Sequence, residues 1–326
     1  MKILSEKIRF QIEVSRILDI LSKQIYDSPY ALLRENAQNA YDAVLIRKFR
    51  DPSFQPLISI EILPNKITIA DNGIGMTYDE LKNNFWRAGS SGKNTSEAKQ
   101  AGVVGTFGIG GLANFGICKT LTVVSEPVNA IGRTTCTADR DTLSLETDSI
   151  IVDQSPPTGK PGTTVIATLP TNQVVDVKAA ESYVEGFLKH VHVPIELNGR
   201  VVSMKPLEES CPSEPVAWSR MVQDVQSGNT KCSFEIRVSE TGNVWIKASR
   251  IVFNGSVLEG ELLLRQGYGQ IMALRSGFGL SRAAVSSSYT FGGVADMKVL
   301  QPTAGRDALT TASIQTLQYL VSSIGT

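Results

Sequence analysis

Between residues 56 and 72 the chain alternates. In "PLISIEIL" and "KITIADN" every second position is apolar, so one face of an extended strand is greasy and the other wet. The break at "PNK" predicts a turn joining two strands. A different period precedes them. In "SPYALLRENAQNAYDAVLIRKF", Leu32, Leu33, Ala37, Ala40, Ala43, Val44 and Ile46 recur at helical spacing behind Ser28 and Pro29, a helix start. This predicts a helix over 29–50, and residues 8–24 read as another. "TYDELKNNFW" predicts a short helix capped by Thr77, with Glu80 three residues on. "LTVVSE", "IGRTTCTA", "LSLETDS" and "GTTVIATL" read as strands, and 177–189 as an amphipathic helix. "VHVPIELNGRVV" opens a new run of strands, so a division is expected near residue 190. Beyond it, "SFEIRVSE", "VWIKASRIVFNG" and "ELLLRQG" read as strands. A more irregular Gly- and Ser-rich stretch follows, and then a helix, "RDALTTASIQTLQYLVSSI".

Composition narrows the classes. With 326 residues there is room for two domains with real cores, and 42% hydrophobic against 20% charged residues is a normal soluble balance. Lys plus Arg equals Asp plus Glu at 32 each, which gives no support to a general nucleic-acid binder. The start, "MKILSEKIRF", has no apolar stretch of signal-peptide length, and no run approaches the ~20 apolar residues that span a bilayer. A cytoplasmic protein is expected. Cys118, Cys136, Cys211 and Cys232 are far apart and form no CxxC pair, so buried free thiols are expected rather than a metal site. His190 and His192, the only histidines, would share one face of a strand. They read as structural, because no third ligand lies nearby. So few histidines also leave a Ser-His-Asp or Cys-His hydrolase poorly supported.

Three constellations carry candidate chemistry. Glu35, Asn39 and Asp42 lie at i, i+4 and i+7 of one helix and point from the same face. That face is either solvated or a site. In a site, the Asn39 amide oxygen suits a hard cation such as magnesium, and a carboxylate one turn away would orient a water and take its proton. The second is "ADNGIGMT". Alone, "DNG" between apolar runs is a common hairpin signal. The other reading is Asp71 held at a strand end, where a carboxylate that only accepts would select the exocyclic amine of adenine. Gly73 and Gly75 would then let backbone approach the base. The third is "GTFGIGG", Gly105 to Gly111. Such a glycine-rich helix start exposes backbone N–H groups to phosphates, and a plain turn is the competing reading.

In this order the pieces resemble the nucleotide-binding domain of the GHKL superfamily of ATPases over about residues 8–190. The superfamily groups gyrase-type topoisomerases, heat-shock protein 90, sensor histidine kinases and MutL-type mismatch-repair ATPases. The best match is heat-shock protein 90: "LLRENAQNAYDAV" looks like its first motif, "DNGIGMT" its second, "GTFGIGG" its third, and "GTTV" its last nucleotide-domain strand. "LQPTAGRDALT" is similar to its middle-domain loop. The resemblance implies an α+β protein with a GHKL (Bergerat) α/β sandwich ATPase domain over 1–190. An α/β middle, transducer-type domain over 191–326 would follow. It implies binding and hydrolysis of ATP with magnesium, with Glu35 as general base and Arg306 meeting the γ-phosphate. Asn39 would ligate magnesium, and Asp71, helped by Thr163, would hold the adenine amine. Asp42, Gly75 and Met76 would line the base and sugar pocket, and Gly108, Ile109 and Gly110 would meet phosphates. Ser90, Ser91, Lys93, Gly105, Thr106 and Phe107 are candidate phosphate or lid contacts, in a lid over about 87–107.

The implied partners are protein clients and co-chaperones, with no nucleic acid and no membrane. Family members continue into a C-terminal dimerisation domain, so a homodimer is implied for a longer protein. Two departures stand out. Gly111 replaces a usual aromatic residue, and the lid keeps its Gly/Ser character but not its letters. The alternatives within the superfamily are an ATPase coupled to nucleic acid, a histidine kinase, and a nucleotide-gated module without turnover. The first usually brings a lysine, not an arginine, to the γ-phosphate. The second should lack the glutamate at Glu35.

Overall fold

The computed structural model describes residues 28–87, 96–101, 103, 113–144, 147–210, 214–267, 269–303 and 308–325. Within these residues the chain builds two large mixed sheets. The first has the strand order β5-β4-β3-β6-β2-β1-β7-β8, with β1 Ile58–Leu63, β2 Lys66–Asp71, β3 Thr120–Glu126, β4 Arg133–Asp139, β5 Ile150–Ser155, β6 Gly162–Thr168, β7 Ile195–Leu197 and β8 Arg200–Val201. All neighbours are antiparallel except β1 and β7. Helices α1 (Ala31–Arg50) and α3 (Val177–Leu188) pack on one face, and a short α2 (Ser96–Gln100) lies against α1.

Alternation decides which face is covered. Ile58, Ile60 and Ile62 are buried, while Ser59, Glu61 and Leu63 on the other face are exposed. The register stacks the buried side chains into rows that cross the sheet. One row is Ile62, Ile67, Ala167, Leu121 and Ala138, and the next is Ile60, Ile69, Val165, Val123 and Cys136. Directly opposed side chains on one face sit ~5 Å apart and pack as a layer. These two layers, roofed by α1 and α3, form the first core.

The second sheet runs β15-β14-β16-β13-β11-β10-β9, with β12 paired to β11. Its strands are β9 Val216–Ser227, β10 Thr230–Ser239, β11 Val244–Phe253, β12 Ser256–Leu258, β13 Gly260–Gln266, β14 Gln270–Arg275, β15 Phe278–Ala284 and β16 Phe291–Met297. Helix α4 (Thr311–Ile324), with Thr310 as its cap, buries Leu317, Leu320 and Val321.

The α+β architecture therefore stands, with several local corrections. "VHVPIELNGRVV" does not open the second half. Its strands β7 and β8 join the first sheet beside β1, so that sheet runs through Val201. The histidines are not on a strand either. His190 closes the end of α3, buried, with Nδ1 on the Lys205 carbonyl and Nε2 on Ser210 Oγ. The described part of "LSLETDS" is a polar turn held by Ser144 and Ser149, and the edge strand is the next segment, β5. The Gly- and Ser-rich stretch of the second half is not irregular but forms β14, β15 and β16. With one α-helix and one short 3-10 helix beside its strands among the described residues, the second half is β-rich. Its last helix begins at Thr311, not at Arg306. The expected helix over 8–24 lies outside the described residues. No described helix is long and apolar enough to cross a membrane. Cys118, Cys136 and Cys232 are buried and free, and burial pushes the Cys118 thiol up to about 12.

Candidate functional site

A third row continues the two apolar ones: Asp71 opposite Thr163, Thr163 opposite Ser125, Ser125 opposite Thr134. All four share the parity of the core residues and face the helices. Here the core layer turns polar. Ser125 and Thr163 are buried, and their hydroxyl oxygens are 2.8 Å apart. Such groups tolerate burial only when hydrogen-bonded.

Behind this row the "DNGIGMT" segment does not fold back as a hairpin. Asp71 Oδ1 accepts the Gly73 N–H at 2.8 Å, an Asx turn that closes the strand end. Asn72 ties the turn to the start of β1 through the Leu57 N–H and the Gln55 carbonyl. The segment then runs along α1. The Arg47 guanidinium donates to the carbonyls of Asn72 (2.6 Å) and Gly73 (3.3 Å), and the Ile74 N–H donates to the Ala43 carbonyl. Gly73 has no room for a side chain, since a Cβ would stand 2.6 Å from the Ala43 carbonyl carbon. Gly75 has φ +64° and would drive a Cβ to 2.0 Å from the Glu126 carbonyl oxygen. Both glycines are thus required by close approach of the chain's own backbone, that of Ala43 and of Glu126. Met76 follows, half-buried, with its N–H on Ser125 Oγ at 2.8 Å.

Helix α1 brings the second constellation. Glu35 and Asp42 are almost fully buried and Asn39 half-buried, so the solvated-face reading does not hold. Asp42 precedes the residue whose backbone packs on Gly73, which places the foot of the Glu35–Asn39–Asp42 face beside the Asp71 turn. At its other end the helix is pinned by Asn36, whose amide donates to the Leu32 carbonyl and to Asn114 Oδ1 at 2.6 Å.

Sequence reasoning missed two residues, Ser125 and Glu126. Ser125 bridges Met76 and Thr163. Glu126, also buried, accepts the N–H groups of Thr158, Gly159 and Lys160 and the Thr158 hydroxyl, all within 3.1 Å. These bonds, the Thr158 N–H first, hold its carboxyl below the usual carboxylate range. The signal for Ser125 was its parity with Leu121 and Val123. For Glu126, nothing in the letters "SEP" separates it from a solvated strand end.

A second contact reaches the same helix from the other sheet. The β14–β15 turn, with Ser276 and Gly277 at positive φ, sits against Tyr41. The Tyr41 hydroxyl donates to the Ser276 carbonyl at 2.7 Å, and its ring stacks on Phe278 at 6.3 Å. Asp296 accepts the Gly277 N–H, and burial raises its carboxyl. Burial lowers the pKa of Arg275, and the charge of Asp42 opposes that shift.

Gly105, Thr106, Phe107, Gly108, Ile109, Gly110, Ser90, Ser91, Lys93 and Arg306 lie outside the described residues. The flanks of Arg306 are joined, however. Thr303 N–H donates to the Ala308 carbonyl at 2.9 Å, and Thr310 N–H to the Gln301 carbonyl at 2.9 Å.

Comparison with known proteins agrees with this geometry. Residues 28–165 match the family described as histidine kinase-, DNA gyrase B- and HSP90-like ATPase. Among individual relatives, the chaperone protein HtpG of Campylobacter jejuni is 27% identical over 204 residues, which cover 57% of this chain and 32% of that one. HtpG of Idiomarina loihiensis is 26% identical over 257 residues, 68% of this chain and 39% of that one. HtpG of Clostridium acetobutylicum is 34% identical over 137 residues, 37% and 22% of the two chains. The chain thus spans between 22% and 39% of the length of these relatives. The matched span holds α1, β1 to β5, the Asp71 turn and the start of β6 through Val165, so residues 28–165 are a GHKL-type domain of the histidine kinase-, DNA gyrase B- and HSP90-like ATPase family.

Proposed function

We propose that this chain binds and hydrolyses ATP as part of a cytoplasmic chaperone of the HtpG, heat-shock-protein-90 type. The observation that carries the reading is the polar row Asp71–Thr163–Ser125, set where the buried face of the sheet meets the acidic face of α1. Asp71, an acceptor, takes the adenine amine. Gly75 and Met76 wall the base, and Asp42 closes the pocket from the helix. Asn39 would hold magnesium through one neutral oxygen, and the ion would supply positive charge to offset that of the phosphates. Glu35, one turn away and out of bulk water, orients the attacking water and accepts its proton.

The remaining roles rest on the resemblance. Gly108, Ile109 and Gly110, with Ser90, Ser91, Lys93 and Gly105 to Phe107, would meet the phosphates and form the closing lid. Arg306, from a loop whose base is bridged by backbone hydrogen bonds, would stabilise charge on the γ-phosphate. Lid closure and docking of the second sheet, with its closing helix, against the first would then switch the protein's hold on unfolded clients, in a homodimer assisted by co-chaperones.

The test is steady-state ATP hydrolysis beside nucleotide binding. Glu35→Ala should cut turnover by at least about 100-fold, the usual scale for a general base, and still bind ATP. Asp71→Asn should abolish binding. Unchanged turnover in Glu35→Ala would sink the mechanism.

A further inference from the structure

The second sheet has two unlike faces. Along β11, Ile246 and Ala248 join the main core, while Trp245 and Lys247 have the opposite parity and lie on the outer face. Register lines up Arg237, Trp245 and Arg265 in one row across that face, and Glu235, Lys247 and Leu263 in the next. The 3-10 turn Leu207–Ser210 lies over them. Leu207 packs on Trp245 and Leu263, and Glu208 reaches Lys247. Beside the turn a cavity of ≈ 70 Å³ remains. Val216, Leu263 and the Trp245 ring give it apolar walls, and Glu208, Glu235, Arg237 and Lys247 give it charged ones.

Most of these walls are satisfied. Arg237 donates to both oxygens of Glu235, at 2.8 and 3.0 Å, and Lys247 lies between Glu208 at 3.0 Å and Glu261 at 3.1 Å. Trp245 is the exception. It is 5% exposed, and its buried indole N–H has no hydrogen-bond partner among the described residues. A donor stripped of water and left unmet is costly, so an acceptor in the cavity would be stabilised. The charges decide which acceptor. An ammonium brings no acceptor for the indole. A carboxylate brings one, but it adds negative charge where Glu208, Glu235 and Glu261 already outnumber Arg237 and Lys247, and it has no N–H for Glu208. A carboxamide is neutral and brings both groups. Its carbonyl accepts from Trp245, and its N–H donates to Glu208, whose side chain has Lys247 as its one partner among the described residues. The space suffices, since it would hold roughly five waters or one solute of that bulk. We propose that this outer face binds a small neutral carboxamide, free or carried on an asparagine or glutamine side chain, read by the Trp245 indole and the Glu208 carboxylate. The site belongs to the second sheet and stands independently of the reading of the Asp71 row.

The experiment is NMR titration of the full chain, labelled at its indole nitrogens, with propionamide, propionate and propylammonium. Trp245→Phe identifies the Trp245 signal by its loss. Propionamide should shift that signal saturably, and the other two solutes should bind at least about tenfold more weakly. Glu208→Ala removes the acceptor and leaves Lys247 less neutralised, so it should weaken propionamide and strengthen propionate. The comparison of solutes needs only the native chain and holds even where a variant does not fold. Capped glutamine separates the sources. Tighter binding than propionamide points to a side chain on another protein, and weaker binding to a free amide. Equal shifts from all three solutes, or an undiminished amide preference in Glu208→Ala, would overturn the proposal. So would the absence of any saturable shift, which would leave water as the occupant of the cavity.

Discussion

Glu126 shows how one side chain can hold a loop. Its two oxygens gather three consecutive backbone N–H groups, from Thr158 to Lys160, while its own carbonyl abuts Gly75. The wall of the site and the loop before β6 therefore lean on the same residue. The pH dependence follows from the direction of the shift. A carboxylate held below its unfolded value of ~4.3 adds stability above that value and loses it as pH falls through the folded value. Glu126→Gln should therefore lower Tm at pH 7, and the gap to the native chain should close as the pH approaches 3. A gap of constant size across that range would show that the charge is not what holds the loop. At this scale the sequence was legible where a motif concentrated the chemistry. The strand end at Asp71 and the shared helix of Glu35, Asn39 and Asp42 could be read from their spacing. The partners of Ser125 and Glu126 could not, because Met76, Thr163 and Thr158 are remote in the chain: strand register brings Thr163 to Ser125, and loops bring the other two.

Elements were legible where pattern and packing agree. The period-2 runs gave β1, β2, β3, β4 and β6, and the helical stripe gave α1, because each buries the face that its pattern marks. The Thr77 cap was also readable. Thr77 Oγ1 accepts the Glu80 N–H, and the Glu80 carboxylate accepts the Thr77 N–H, closing the box just after Met76. Thr77→Ala should cost about 0.5–2 kcal/mol in urea unfolding. A change below that range would mean that the wide turn at Leu81–Phe85 holds the segment unaided. Failures came where tertiary pairing overrode local preference. β14 to β16 are rich in glycine and serine, yet Gly279 is there because a Cβ would lie 2.9 Å from the Phe187 backbone of α3. β5 has an exposed face at nearly every position, so β4 supplies its order and burial does not.

Across the whole molecule, the second sheet meets the first unit at α1 and at α3. Tyr41 of α1 grips the tip of the β14–β15 hairpin, next in sequence to Asp42 and within two turns of Glu35. Tyr41→Phe keeps the ring stack and removes one hydrogen bond, a loss of about 1 kcal/mol. The expected result is a Tm lower by about 2–4 °C, together with weaker nucleotide-induced protection of the hairpin amides in hydrogen exchange. Unaltered protection would place the link between the sheets elsewhere. The parallel pairing of β1 with β7 has a further consequence, in time rather than space. β1 is made early but lies inside the finished sheet, flanked by β2 and by a strand that follows α3. Until Ile195–Leu197 has emerged during synthesis, at ~5–20 residues per second, one side of the isoleucine-bearing strand is an open edge. For those seconds a nascent chain of this kind is itself an aggregation-prone polypeptide, in need of the protection that chaperones give.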